Sequence, residues 1–196
     1  MQAMGDDHTD AKDALRRRLR TARANLSPRV AAERSAAVCA RVMGLPAFTT
    51  ARAVVAYAPV ENEVDPASVV AAALADGKAV YYPRRAADGL EFLQSDPAGL
   101  QRRGFPVPEP VDGRPLAVEA GEDIAFLVPG IAFDPGGVRL GRGAGCYDRA
   151  LARHPRAARI GLAYEMQLVA SLPEAAWDIR MDAVVTEVRV LVVKET

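Results

Sequence analysis

The sequence predicts an α/β protein: a single-domain, three-layer α/β/α sandwich on a mostly parallel, Rossmann-like sheet. Three observations carry this expectation. Short apolar runs of strand length alternate with stretches of helical periodicity, as in strand–helix–strand units. A glycine-rich loop lies between one such run and a helix start, within 126–149. The chain has 196 residues, half of them hydrophobic, enough for one sizeable core.

Residues 1–9 are polar and read as a loose tail; the remainder, 10–196, reads as one domain without repeat, linker or low-complexity segment. From 10 to about 25, Ala11, Leu15, Leu19 and Ala22 share one helical face. Lys12, Arg16, Arg17, Arg18, Arg20 and Arg23 crowd this helix, and solvation of the opposite face accounts for most of them. Lys12 and Arg16 differ in lying one turn apart, so that both can reach a single anion. Ser27-Pro28 opens a second helix, as N-cap and first helical residue. It runs to about 43 with Val30, Val38, Val42 and Cys39 inward and ends at Gly44-Leu45-Pro46.

Residues 53–58, AVVAYA, read as a buried strand, followed by a loop holding Glu61 and Glu63. Asp65-Pro66 restarts a helix through Leu74, closed by Gly77. Residues 78–82 form the next strand, ending at Pro83-Arg84-Arg85, and 90–93 a short one. Residues 96–121, rich in Pro and Gly, read as a surface excursion anchored by Phe105. Further strands are expected at 124–128, 159–163, 183–186 and 188–193, with a tight turn or bulge at Thr186-Glu187-Val188. In such sheets ligands sit at the carboxyl ends of the strands, where the glycine loop, Glu61, Glu63, Arg84 and Asp178 can converge.

Bulk composition excludes several function classes. Lys+Arg and Asp+Glu both number 25, so the formal charge is zero, which argues against a protein that coats nucleic acid. No apolar run approaches the roughly 18 residues of a membrane span, and the N-terminus does not resemble a secretory signal. Two cysteines, Cys39 and Cys146, without a CxxC pair, fit a reduced, cytoplasmic protein. His8, in the tail, and His154, near a helix end, form no metal-ligand pattern.

The chemistry concentrates in FLVPGIAFDPGGVRLGRGAGCYDR, residues 126–149. A strand and a turn lead into a glycine loop and a helix start, which directs backbone N–H groups and the positive end of a helix toward one point. Gly141, Gly143 and Gly145 let the backbone approach an anion closely. Arg139, Arg142 and Arg149 add positive charge, and Asp148 adds a carboxylate that can hold a metal. The stretch reads as a phosphate cradle, or alternatively as a plain glycine turn. Walker A is excluded because no Lys-Ser/Thr follows, and the dinucleotide fingerprint because the spacing is G-x-G-x-G.

VPGIAFDPGGVRLGRGAGCYDR resembles the signature of the 5-formyltetrahydrofolate cyclo-ligase family, also called 5,10-methenyltetrahydrofolate synthetases. The resemblance extends to KDALR at 12–16, YAPVENEVD at 57–65, Tyr82-Pro83-Arg84, Ile160-Gly161-Leu162-Ala163, Gln167, Leu172-Pro173, Asp178 and Val185-Thr186-Glu187. It departs at Ala144-Gly145-Cys146-Tyr147, where many bacterial members have Gly-Gly-Tyr-Tyr, and at Trp177, where many have His.

The resemblance implies that ATP and 5-formyltetrahydrofolate give 5,10-methenyltetrahydrofolate, ADP and phosphate, by phosphorylation of the formyl oxygen and ring closure by N10. It implies ATP binding by Lys12, Arg16, Arg139, Leu140, Gly141, Arg142, Gly143, Ala144, Gly145, Cys146 and Tyr147. Ala58, Glu63 and Tyr147 are the implied folate contacts, with Glu63 on the pterin N–H edge. Arg142, Tyr147 and Arg84 are the implied catalytic residues. Asp148 and Asp178 are the implied Mg²⁺ ligands. A monomer that engages neither nucleic acid nor membrane is expected. The alternatives are a non-catalytic nucleotide- or folate-binding module on the same fold, and an isomerase or CoA-transferase-like enzyme sharing the architecture. Glu63 is otherwise an exposed loop acid, and Tyr147 otherwise a core aromatic at a helix start.

Overall fold

The computed structural model describes residues 3–87, 89–102, 104, 106–117 and 123–193, with side chains from residue 10 onward. Phe105, expected as an anchor, lies outside the described residues, as does the side chain of His8.

The first helix, α1, spans Ala3–Ala24 and so begins within the stretch expected to be a loose tail. Its buried face also differs from the expectation. Leu19 is buried and Leu15 partly so, but Ala11 is exposed and Arg23 is 1% exposed. Lys12, Arg16, Leu19 and Arg23 follow one another at helical steps and form a single stripe.

Helix α2, Pro28–Met43, begins where expected, with Ser27 Oγ accepting from the Val30 N–H at 3.4 Å. Ser35, Val38, Cys39 and Val42 are its buried face. A one-turn helix, α3 (Pro46–Thr49), follows the Gly44-Leu45 stop. Strand β1 covers Ala53–Val55, shorter than the apolar run, because the chain then leaves the sheet toward Glu61 and Asn62. Both of these adopt the left-handed conformation, with φ of 52° and 55°. Helix α4 is Ala67–Ala75, with Asp65 Oδ1 accepting from the Ala67 N–H.

Strand β2, Ala79–Ala86, runs past Pro83 to pair antiparallel with β3, Gly89–Gln94. Proline is tolerated there because alternate residues of β2 face β1: the Ala79 N–H donates to Arg52 O, and Tyr81 O accepts from Ala56. Pro83 keeps this alternation at a level where β1 has ended, so no ladder bond is lost. The excursion over 96–121 carries a two-stranded piece, β4 (Leu100–Gln101) with β5 (Glu109–Pro110).

Strand β6, Ile124–Pro129, is buried along most of its length. A hairpin not expected from the sequence follows, β7 (Ala132–Phe133) with β8 (Arg139–Leu140). Asp134 closes it, accepting from the Gly136 and Val138 N–H groups and, across the core, from Leu172. Gly137 has φ of +80°, and a Cβ there would lie 2.5 Å from Met181 O, so only glycine fits.

Helix α5 (Cys146–Leu151) and strands β9 (Ala158–Leu162), β10 (Ala183–Val185) and β11 (Val190–Val192) complete the chain. Thr186 makes the tight turn before β11, its Oγ1 accepting from the Val188 and Arg189 N–H groups.

The seven-stranded sheet has the order β11-β10-β9-β6-β1-β2-β3, parallel through its centre and antiparallel at both edges. Alternating residues serve the two faces. Val54, Val80, Leu127 and Ile160 pack under α2, α3 and α4, while Val55, Tyr81, Phe126 and Val128 pack under α5 and neighbouring loops. Helix α1 lies across the carboxyl ends of the strands, with Leu15 and Leu19 packed on Ile131, Val138, Leu140 and Leu172.

Candidate active site

At those carboxyl ends a cavity of about 490 Å³ opens between α1, the loop after β1, the end of β2 and the glycine loop. Of the residues singled out in the sequence, Lys12, Arg16, Ala58, Glu63, Arg139, the loop from Leu140 to Tyr147, Asp148 and Asp178 all line it.

Arg84 does not. Because β2 continues through Pro83, Arg84 and Arg85 point to opposite faces of the sheet. Arg84 Nε donates to Glu91 Oε1 at 2.9 Å and Nη1 to Val111 O at 3.2 Å, whereas Arg85 lines the cavity. Arg84 thus stands outside the cavity lining, held by Glu91 and Val111, and Arg85 stands within it.

The glycine loop is pinned by its carbonyls. Arg16 Nε donates to Gly141 O at 3.0 Å, and Arg149 Nη1 donates to Ala144 O at 3.0 Å. Across a trans peptide the next N–H points the opposite way, so these contacts orient the Arg142 and Gly145 amides. Gly143 and Gly145 have φ of 108° and 61°, while Ala144 is not among the positive-φ residues, so alanine is accommodated there. Helix α5 is six residues long, so its dipole adds less to the cradle than the sequence suggested.

The charges form three interlocked groups. Arg139 Nη2 pairs with Asp148 Oδ2 at 2.9 Å, and Asp148 Oδ1 also accepts from the Ile179 N–H. Lys12 Nζ lies 4.0 Å from Asp178 Oδ2. Arg142 Nη2 donates to Glu63 Oε1 at 2.9 Å and lies 3.5 Å from Glu61 Oε2. Burial alone would lower the Arg142 pKa, but the hydrogen bond and charge of Glu63 raise it. Glu63 is held further by the Val60 N–H on Oε2.

Tyr147 sits beneath the loop with the Arg139 guanidinium 5.5 Å from its ring centroid. Desolvation, and then the nearby Glu63 charge, push its phenol well above the ordinary range, so it remains a donor. Tyr57, also lining the cavity, is buried, and its hydroxyl donates to Val64 O at 2.6 Å.

Asp148 and Asp178 belong to neighbouring segments, joined by the Ile179 contact, and offer hard oxygen donors on one wall of the cavity. Among the described residues no cluster of three or more His, Cys, Asp or Glu is present. Two carboxylates completed by phosphate oxygens and water suit Mg²⁺, which rarely takes an all-protein cage.

Sequence reasoning missed Arg23, Arg85 and Trp177. Arg23 continues the Lys12–Arg16 stripe by one heptad, a signal present in the spacing but masked by the many neighbouring arginines. Trp177, 75% exposed, lines the cavity beside Asp178.

The site can be set beside known proteins. A model of the 5-formyltetrahydrofolate cyclo-ligase family matches residues 8–187. The Escherichia coli K12 protein named 5-formyltetrahydrofolate cyclo-ligase is 32% identical over 179 residues, covering 88% of this chain and 98% of that protein. The structure of 5,10-methenyltetrahydrofolate synthetase from Aquifex aeolicus superposes with a TM-score of 0.80 at 33% identity, covering 94% of each chain. The Mycoplasma pneumoniae 5,10-methenyltetrahydrofolate synthetase shares the fold, with a TM-score of 0.73 at 22% identity.

Proposed function

The chain belongs to the 5-formyltetrahydrofolate cyclo-ligase family, and from that premise we propose that it converts 5-formyltetrahydrofolate to 5,10-methenyltetrahydrofolate with ATP. The observation that carries the proposal is the Arg142–Glu63 contact at 2.9 Å. It joins a cationic loop shaped for phosphates to an acidic loop suited to a pterin edge, within one cavity.

The chemical problem is a formamide oxygen, a very poor leaving group. That oxygen attacks the γ-phosphorus, the bond to ADP breaks, and the N5–formyl carbon becomes iminium-like. N10 then attacks this carbon, phosphate leaves with the former formyl oxygen, and N10 gives up its proton. The protein's part is positioning and charge neutralisation. Lys12, Arg16, Arg139 and Arg142 hold the phosphates with the glycine-loop amides. Glu63 accepts from the pterin N–H groups, beside Ala58. Tyr147, kept protonated, donates to the oxygen that gains negative charge. Asp148 and Asp178 would hold Mg²⁺, which supplies charge neutralisation on the phosphates. Nucleotide binding then exchanges partners: Arg139 and Lys12 turn from the two aspartates to phosphate.

Residues 10–196 are taken as one catalytic domain. The balanced charge, 25 basic against 25 acidic residues, supports a protein that does not bind nucleic acid. Two free cysteines support a cytoplasmic setting. No helix among the described residues is long and apolar enough to cross a membrane. The protein is taken as a monomer, which size-exclusion chromatography with light scattering tests. The test of function is absorbance in the methenyl-folate band, with 5-formyltetrahydrofolate and with or without Mg-ATP. Product is expected only with both nucleotide and divalent ion; turnover without nucleotide would refute the ligase reading.

A further inference from the structure

Arg23 is a fully buried guanidinium in a place where no long cation would settle without a reason. Its side chain is 2% exposed, at the C-terminal end of α1. Nε donates to Glu61 O at 2.9 Å and Nη1 to Gly130 O at 3.3 Å. Nη2 has no hydrogen-bond partner, and it stands 3.7 Å from both Glu63 Oε1 and Glu61 Oε2. A cation removed from water needs a paired charge, and Nη2 lies within ion-pair distance of both carboxylates without hydrogen-bonding to either.

Glu63 is therefore flanked by two arginines of opposite character. Arg142 holds Oε1 at 2.9 Å but is 45% exposed and belongs to the glycine loop. Arg23 is immobilised by two carbonyls, and its own backbone carbonyl accepts from Asn62 Nδ2 at 3.2 Å. Asn62 also donates to Leu26 O, so the loop carrying Glu63 is clamped to the end of α1. The left-handed backbone at Glu61 and Asn62 is held in place by these contacts.

Resting on the reading of Glu63 as the pterin-binding acid, we propose that Arg23 is a positioning residue. It takes up the Glu63 carboxylate when Arg142 moves to the phosphates of the nucleotide. The free Nη2 donor is the reserve partner. It keeps the Glu63 carboxylate aimed while the releasable arginine is engaged elsewhere. Arg23 itself touches neither substrate: it lies behind Glu63 and is absent from the cavity lining.

The test is a double-mutant cycle on the full-length protein, read as Kd for 5-formyltetrahydrofolate by isothermal titration and as KM for each substrate. Glu63→Gln is expected to weaken folate binding about tenfold, or 1.4 kcal/mol. Arg23→Gln is expected to do the same, about tenfold, with the KM for ATP within about twofold. In the Glu63→Gln background, Arg23→Gln should add almost nothing, because no carboxylate remains to be held. The Arg23→Gln defect should deepen when β,γ-methylene-ATP is present, since Arg142 is then drawn away. Should Arg23→Gln not fold, Arg23→Lys runs the same cycle, with the same coupling expected in smaller amount. Full additivity of the two substitutions, or equal losses for ATP and folate, assigns Arg23 to the scaffold and overturns the inference. An unchanged folate Kd in Glu63→Gln alone overturns the assignment of Glu63 beneath it, a different result in a different variant.

Discussion

Lys12 and Cys146 show how single residues at this site can be separated by measurement. Lys12 stands at the cavity wall, 4.0 Å from Asp178 and free to turn toward phosphate. Lys12→Ala removes a charge-assisted contact of about 1.5–3 kcal/mol, so the KM for ATP should rise about tenfold or more. The KM for folate should stay within about twofold; equal rises for both would place Lys12 outside the nucleotide half. Cys146 Sγ lies 3.7 Å from Arg149 Nη2 and is partly exposed. Cys39 is buried, and desolvation pushes its thiol up, away from the reactive thiolate. Brief alkylation followed by mass mapping should label Cys146 first, and Mg-ATP should protect it. Labelling of Cys39 at an equal rate would contradict this.

The elements that carry the site are fixed by contacts specific to β9 and α5. Gly161 in β9 faces the Phe133 ring so closely that a Cβ would meet Cε1 at 2.6 Å. Gly161→Ala forces the ring and the β7–β8 hairpin outward, and should cost roughly 1–3 kcal/mol in urea unfolding. Since that hairpin carries Arg139, activity should fall with stability rather than survive it. His154 packs beyond α5 against Phe126 and Phe92, with centroids 5.3 and 6.2 Å away. Desolvation, and then Arg153, lower its pKa in the folded state. The folded protein thus favours the neutral ring. This contribution to stability is complete above the unfolded pKa of about 6.5 and is lost as pH falls through the lowered value. Urea midpoints should drop below pH 6.5 in the native chain, and His154→Phe should flatten that drop. An unaltered pH slope in the variant would assign the effect elsewhere.

At the scale of the whole molecule, the strand order decides where the chemistry sits. The loops after β1, β2 and β6 open on the same edge of the sheet, and α1 closes over them. Ligand binding therefore draws together segments spread from Lys12 to Asp178 and should stabilise the fold by mass action. Saturating Mg-ATP should raise the Tm by several degrees, and Trp177 should report it directly. It is the chain's one tryptophan, 75% exposed at the cavity rim. Its emission should shift to the blue when Mg-ATP fills the site. An unchanged spectrum at saturation would mean that the nucleotide does not reach that rim.

The chain's local chemistry determined much of this by itself. Alternating apolar runs gave the parallel α/β sheet, because strand and helix periodicities are properties of adjacent residues. Ser27-Pro28 marked the start of α2 for the same reason. Glycines with charged neighbours marked the loop that lines the cavity, because a positive φ and the absence of Cβ are written in the residue type. What needed the tertiary structure was every choice between equivalent neighbours. Arg84 and Arg85 are adjacent and chemically alike; only the continuation of β2 past Pro83 decides which one faces the cavity. Six cations crowd α1, and only the packing of Leu19 on Val138 and Leu140 turns Arg23 inward to Glu63. Pairing partners such as Arg142 and Glu63 are 79 positions apart, and the sequence carries no record of a distance that long-range strand order alone creates.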